Sequence, residues 1–251
     1  MREKSKKIII EAGQRLLEVK NLRVEEKTDF RNLVTSYDTA TQDFLMEKLS
    51  QVAPDATFLC EEKDAQTISD KMFIIDPIDG TANFVHGTGL SAISVAYAEY
   101  GKLVWGIVYN PFMDECYEAE RGQGAWLNGK PIHVTDLPLK NTLVSVGTSP
   151  YNPEFKEETL ELMSKVLTVS MDIRRSGSAA LDLCYVAAGR YGLYIEKVLQ
   201  AWDMAAGIVI CEEAGGKVIN FNLELPDFTK RGDIIAGTQE SVETFVELIR
   251  G

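Results

Sequence analysis

Apolar residues recur at helical spacing in the first twenty positions of the chain. Ile9, Ala12, Leu16 and Val19 fall on one face of a helix predicted over residues 4–20. From Val24 to Val34 the pattern is polar and broken, which reads as a strand or a mobile loop. Residues 35–39 then lead into a second helix that ends near residue 51. In it Leu45, Leu49 and Val52 form a stripe, and Thr39 and Gln42 have the spacing of a capping box. Phe58 to Cys60 is a short apolar strand closed by Glu61-Glu62, and Phe73 to Ile75 is another. Apolar runs predict strands over 92–100, 103–109 and 115–120, with a hairpin signal inside 122–129.

The second half opens after a stretch without strong pattern, residues 136–142, which we take as a lobe boundary. This divides the chain into an N-terminal lobe, 1–140, and a C-terminal lobe, 141–251. Val144 to Thr148 reads as a strand, and residues 154–167 as a helix with Phe155, Leu162, Met163 and Val166 inward. A second apolar helix follows Gly177-Ser178-Ala179-Ala180. Leu193 to Glu196 is a strand, and a long apolar helix runs from Ala201 to Gly215-Gly216. Short strands are predicted near 217–220 and 234–237, then a last helix with Val242, Phe245, Val246 and Ile249 on one face. Helices come first and neighbouring strands follow, which argues α+β rather than regular βαβ alternation.

With 251 residues the chain is long enough to bury a substantial core. It is 45% hydrophobic and 25% charged, an ordinary globular balance. A net charge of −12 disfavours nucleic acid and anionic membranes as partners. It also means that an anionic substrate needs local positive charge, which bound metal would supply. Cys60, Cys116, Cys184 and Cys211 are scattered without ligand spacing. With no signal peptide and no spanning apolar run, they read as reduced thiols in a cytoplasm.

Candidate chemistry gathers at strand and helix ends. Asp76 and Asp79 lie three apart where a buried strand turns into a helix at Gly80-Thr81. Pro77 lacks an amide proton and should stop the ladder there. The acids ask for a cation, and helix-start amides ask for an anion. A divalent metal carrying a phosphate ester satisfies both. Asp-Pro and Asp-Gly are also ordinary turn dipeptides. Asp203 and Asp38 sit at helix starts, where each also reads as a cap. Glu61-Glu62 also reads as a solvated loop, and Lys27 as a surface lysine. His86 and His133 make no recognisable triad with a serine and an acid.

The string Asp76-Pro77-Ile78-Asp79-Gly80-Thr81-Ala82-Asn83-Phe84 resembles the signature of the inositol monophosphatase family, which belongs to the lithium-sensitive, magnesium-dependent phosphatases. So do Glu61-Glu62 after a strand, Trp202-Asp203-Met204-Ala205-Ala206-Gly207, and Glu212-Glu213-Ala214-Gly215-Gly216. The ordered matches run from about Val34 to Gly216. The resemblance implies a layered α-β-α-β-α sandwich with its site between two lobes. It implies magnesium-dependent hydrolysis of a phosphate monoester, inositol monophosphate, by metal-activated water, and a homodimer. Two or three Mg2+ ions are expected. Glu61, Asp76 and the Ile78 carbonyl would hold one; Asp76, Asp79 and Asp203 would hold a second; Glu61 would share in a third. Asn32 stands where the family usually has an acid, which bears on that third ion, and Lys27 fits a loop position that faces the site. Thr81 and Glu61 would orient the water, with Asp38 supporting Thr81. Gly80 and Thr81 would grip the phosphate, with Asp79 and Asp203 beside it. Gly177, Ser178, Ala179 and Glu196 would line the alcohol side. Arg174 and Arg175 read as a clamp for a second phosphate or as solvated residues. A fructose-1,6-bisphosphatase, a 3′-phosphoadenosine 5′-phosphate phosphatase, and a regulatory binding protein on the same fold are the alternatives.

Overall fold

A computed structural model of the chain describes residues 1–19, 24–27, 33–62 and 68–250. Asn32 lies outside the described residues. The elements are α1 (Arg2–Leu16), β1 (Val24–Glu26), β2 (Leu33–Thr35), α2 (Ser36–Val52), β3 (Thr57–Cys60), β4 (Lys71–Asp79) and α3 (Thr81–His86). Next come β5 (Ala92–Glu99), β6 (Lys102–Asn110), β7 (Glu115–Glu120), β8 (Gly124–Leu127) and β9 (Lys130–Pro131). The remainder are β10 (Leu143–Val146), α4 (Lys156–Val166), β11 (Asp172–Arg174), α5 (Ala179–Ala187), β12 (Leu193–Leu199), α6 (Ala201–Glu213), β13 (Lys217–Ile219), β14 (Gly232–Gly237) and α7 (Gln239–Arg250).

Among the described residues, β3 to β9 form one sheet in sequence order, antiparallel except for the β3–β4 pair. A second, mixed sheet has the order β11-β10-β12-β14-β13. β1 and β2 pair as a separate hairpin. Alternation along each strand decides which layer lies on which face. Phe73 and Ile75 of β4 pack with Ile9, Leu16, Leu45 and Leu49, so α1 and α2 cover the outer face of the larger sheet. Met72 and Ile74 pack with the apolar residues of α5 and α6, which also meet Tyr194, Ile234 and Ala236 of the second sheet. Val144, Leu193, Ile195 and Ile235 face outward against Leu162 and Val166 of α4 and Val242 and Phe245 of α7. The layers are therefore α-β-α-β-α. Each fully buried Leu, Ile, Val or Phe contributes about 1.5–3 kcal/mol. α5 and α6 are buried along most of their length between the two sheets.

Several predicted boundaries move. α2 starts at Ser36, and its capping box is Thr35 with Asp38 rather than Thr39 with Gln42. Thr35 caps because it is extended and its hydroxyl accepts from Tyr37 N, while Asp38 closes the box. Gln42 is buried one turn on, where its Oε1 accepts from Glu62 N. β11 is too short and too exposed to show in the hydrophobic pattern. The four cysteines are buried thiols. No helix among the described residues is long and apolar enough to cross a membrane.

Candidate active site

The site begins with an irregularity in β4. Asp76 pairs with Ser94 of β5, and the next pair is Asp79 with Ala92. Three residues on one strand therefore answer two on the other, which is a one-residue bulge. In an unbroken strand, residues three apart face opposite sides. The extra residue reverses that alternation. Ile78 joins Phe73 and Ile75 on the face toward α1 and α2, and Asp76 and Asp79 both reach the cavity. Pro77 thus interrupts the ladder but does not end it, contrary to the expectation from its missing amide proton. Gly80 follows with φ +81°, and an added Cβ would lie 2.9 Å from Leu90 O and 3.1 Å from Gly177 O. Only glycine fits this turn into α3.

The cavity has a volume of about 430 Å³ and opens between the sheets, near the starts of α5 and α6. Carboxylate oxygens of Asp76, Asp79 and Asp203 all lie within 4.8 Å of one another. Asp76 Oδ1 accepts from Ile78 N at 3.0 Å, and Asp203 Oδ2 from Gln200 N at 2.7 Å, so Asp203 is also a helix cap. Asp79 Oδ2 accepts from Ala180 N at 2.9 Å and from the Ser178 hydroxyl. Burial pushes Asp76 well above the usual carboxylate range, assisted by the charges of Glu61, Asp79 and Asp203. Burial does the same to Asp203, with Asp79 and Glu61 adding to it. Asp79 is pushed up to about 6 by burial, against the downward pull of the Ser178 and Ala180 bonds. Three acids this close, each raised by burial and by the charge of Glu61, are short of positive charge. Their oxygen-only donor set on rigid element ends fits a hard divalent cation.

Glu61 stands on the cavity wall at the end of β3 but outside that tight cluster. Lys27 Nζ reaches its Oε1 at 2.8 Å and Glu62 Oε1 at 2.5 Å. Burial would lower the Lys27 ammonium, but the two glutamates outweigh it and hold it above the usual lysine range. Neither the surface-lysine nor the solvated-loop reading survives. Lys27, Glu61 and Glu62 form one partly buried ion cluster. Asp38 is fully buried behind the wall. Its Oδ2 accepts from Thr35 N and Thr35 Oγ1, while its Oδ1 lies 3.2 Å from Thr81 Oγ1. Burial raises its pKa against those bonds. The same carboxyl therefore caps α2 and meets the Thr81 hydroxyl. Thr81 Oγ1 also lies 3.1 Å from Ile78 O, so its single proton has two acceptors.

On the opposite wall are Gly177, Ala179, Glu196 and Arg175. Ser178, expected there, is not part of the wall; its hydroxyl is turned to Asp79. The two arginines separate. Arg175 lines the cavity and its Nε donates to Thr148 Oγ1 at 3.1 Å. Arg174 pairs with Asp172 at the surface. Glu196 is buried, not an exposed strand-end acid. Neither histidine lines the cavity.

A sequence profile described as the inositol monophosphatase family matches residues 1–250. The chain belongs to that family. An inositol-1-monophosphatase of Mesorhizobium japonicum is 38% identical over 225 residues, covering 88% of this chain and 84% of that protein. A protein of Thermotoga maritima named fructose-1,6-bisphosphatase/inositol-1-monophosphatase is 38% identical over 200 residues, covering 79% and 75%. Among solved structures, the extragenic suppressor protein suhB from Bartonella henselae superposes with a TM-score of 0.92 at 36% identity, covering 99% of this chain and 98% of that one. Membership in a phosphatase family accords with an acid-lined cavity. It also marks what the sequence reading missed. Asn83 lies inside the family's central motif, yet no role was assigned to it. Its Nδ2 donates to Leu90 O at 2.8 Å and Ser176 O at 2.9 Å, which ties α3 to the turn before α5. Pro150, Tyr151 and Leu199 also line the cavity. No motif or periodicity pointed to them.

Proposed function

We propose that the chain is a magnesium-dependent phosphomonoesterase that acts on inositol monophosphate. The observation that carries this reading is the convergence of Asp76, Asp79 and Asp203 within 4.8 Å, opposite a second wall that carries Glu196. Asp76, Asp79, Asp203, Glu61 and the Ile78 carbonyl would hold two or three magnesium ions. When bound, these ions supply an acidified water and offset the charge of the departing alkoxide. The chain's own groups do the rest. Thr81, with Asp38 behind it, orients the attacking water's proton. Glu61, steadied by Lys27, lies where it can share that proton. The amides of Gly80 and Thr81 face the phosphate oxygens. Glu196 accepts hydrogen bonds from hydroxyls on the alcohol half, which suits a polyol. We further propose that residues 1–140 and 141–251 act as two lobes across this cavity.

Arg175 on the cavity wall supports a second reading, a sugar bisphosphate such as fructose 1,6-bisphosphate, with the guanidinium on the distal phosphate. Phosphate release from inositol 1-phosphate, fructose 1,6-bisphosphate and 3′-phosphoadenosine 5′-phosphate, each titrated with magnesium, separates the readings. No release from any of them at saturating magnesium would overturn the phosphatase reading. Preference for fructose 1,6-bisphosphate, lost in Arg175→Ala, would favour the second.

A further inference from the structure

The alcohol wall is built by the same device as the metal wall. In β12, Glu196 pairs with Ile234 of β14, and the next pair is Leu199 with Gly232. One extra residue lies between them, and Val198 takes φ +61°, a left-handed conformation rare for a β-branched side chain. The alternation reverses here too. Ile195 packs outward against α4 and α7, whereas Tyr194 and then Leu199 pack inward. Glu196 and Leu199 therefore face the cavity together. Strain of this kind persists only where the surroundings hold it, and it concentrates at functional sites.

The Glu196 carboxylate is itself held on every side. Tyr194 OH donates to Oε2 at 2.6 Å, and Ser149 N donates to Oε1 at 3.0 Å. Ser149 adopts a positive φ of 42°, and its hydroxyl is anchored on Lys197 O, inside the bulge. Gly147 closes the remaining side. A Cβ added there would overlap the Glu196 carboxyl carbon and Oε2. Tyr194 is fully buried, and burial together with the Glu196 charge raises its hydroxyl well above the usual range, so it stays a donor. Each carboxylate oxygen has one protein donor and keeps acceptor capacity for a ligand hydroxyl.

On the phosphatase reading above, we infer that Gly147 and Tyr194 form a socket that fixes the Glu196 carboxylate and so sets which alcohol the site accepts. They are positioning residues: neither is on the cavity wall, and both act through Glu196. A polyol phosphate depends on that fixed acceptor, and a planar aryl phosphate without ring hydroxyls does not.

The test compares kcat/KM for inositol 1-phosphate with kcat/KM for p-nitrophenyl phosphate in wild type, Glu196→Gln, Tyr194→Phe, Gly147→Ala and the Tyr194→Phe/Glu196→Gln double variant. Tyr194→Phe keeps the ring and removes one hydrogen bond to a charged group, so the ratio should fall about tenfold. Gly147→Ala displaces the carboxylate and should lower the ratio by at least as much. In the Glu196→Gln background, Tyr194→Phe should change the ratio little, because its only route to substrate is gone. If Gly147→Ala fails to fold by circular dichroism, Tyr194→Phe and the double variant still decide. A ratio lowered by Glu196→Gln but untouched by Tyr194→Phe would overturn the socket and leave the phosphatase reading standing. Additive effects in the double variant would also overturn it. A wild-type chain that releases phosphate from neither ester would remove the phosphatase reading and the socket with it.

Discussion

Asp182 offers a sharp test of the electrostatics near the site. It lies in the first turn of α5, 1% exposed, and its Oδ1 has no hydrogen-bond partner. Burial pushes its pKa up to about 7 from an ordinary 3.8, against the pull of the nearby Ser176 and Ser145 hydroxyls and with the Glu196 charge adding to the rise. A carboxyl raised by folding binds its proton more tightly in the native state. Its stabilising contribution is complete below the unfolded value near 3.8 and is lost as pH climbs through about 7. From pH 5 to pH 8 this linkage costs the wild-type chain about 2–3 kcal/mol that a neutral amide does not lose. Asp182→Asn should therefore gain on wild type as pH rises, by about 5–10 °C in melting temperature over that interval. Thermal unfolding of both proteins at pH 5, 6, 7 and 8, without metal, reads the difference directly. Titrating groups that do not interact with Asp182 are common to both and cancel. A gap between variant and wild type that stays flat from pH 5 to 8 would refute the reasoning.

Three further outcomes follow from the site. Asp76→Asn should abolish nearly all turnover while the circular dichroism spectrum is retained; wild-type kcat at saturating magnesium would remove Asp76 from the ligand set. Thr81→Ala should lower kcat far more than it changes KM, the sign of an interaction made in the transition state; a rise in KM alone would make Thr81 a phosphate-binding residue. Gly80→Ala must place a Cβ 2.9 Å from Leu90 O at φ +81°, and should cost about 1–3 kcal/mol in urea unfolding. An unchanged midpoint would mean that this turn relaxes freely.

The larger features were legible because each has a local cause. The stripes Ile9-Ala12-Leu16 and Leu45-Leu49 follow helical spacing, and the strands from Ala92 to Glu120 are nearly continuous apolar runs. Asp76, Asp79 and Asp203 could be picked out because they sit in long strings that resemble the family's motifs; taken singly, each reads as an ordinary turn residue or cap. The missing parts depend on long-range partners. Whether a lysine is solvated or buried depends on what folds over it, and for Lys27 that is Glu61 and Glu62, thirty-four and thirty-five residues away. Thr39-Gln42 and Thr35-Asp38 have the same capping spacing. In the fold Gln42 is drawn off to Glu62 N, twenty residues on, and the remaining oxygen of Asp38 meets Thr81, forty-three residues on. Tyr151 and Leu199 reach the cavity only through tertiary geometry. Arg174 and Arg175 are chemically alike, and only the end of a short edge strand sends one to solvent and the other to the cavity.

The bulge in β4 also bears on how this molecule can change over generations. Substitution alters one side chain, but a deletion alters the facing of every residue beyond it in the strand. The bulge residue is the exception: without Pro77, Ile78 would pair with Ile93 and Asp79 still with Ala92, a regular ladder in which both acids keep facing the cavity and Ile78 keeps its apolar seat. What the deletion would remove is the turn in which Asp76 Oδ1 accepts from Ile78 N, and with it the present direction of the Ile78 carbonyl, so the fold would outlast the chemistry. The extra residue between Asp76 and Asp79 thus serves the backbone of Ile78 more than the facing of the acids. In a family member, a one-residue gap at this point would mark changed chemistry in a retained fold.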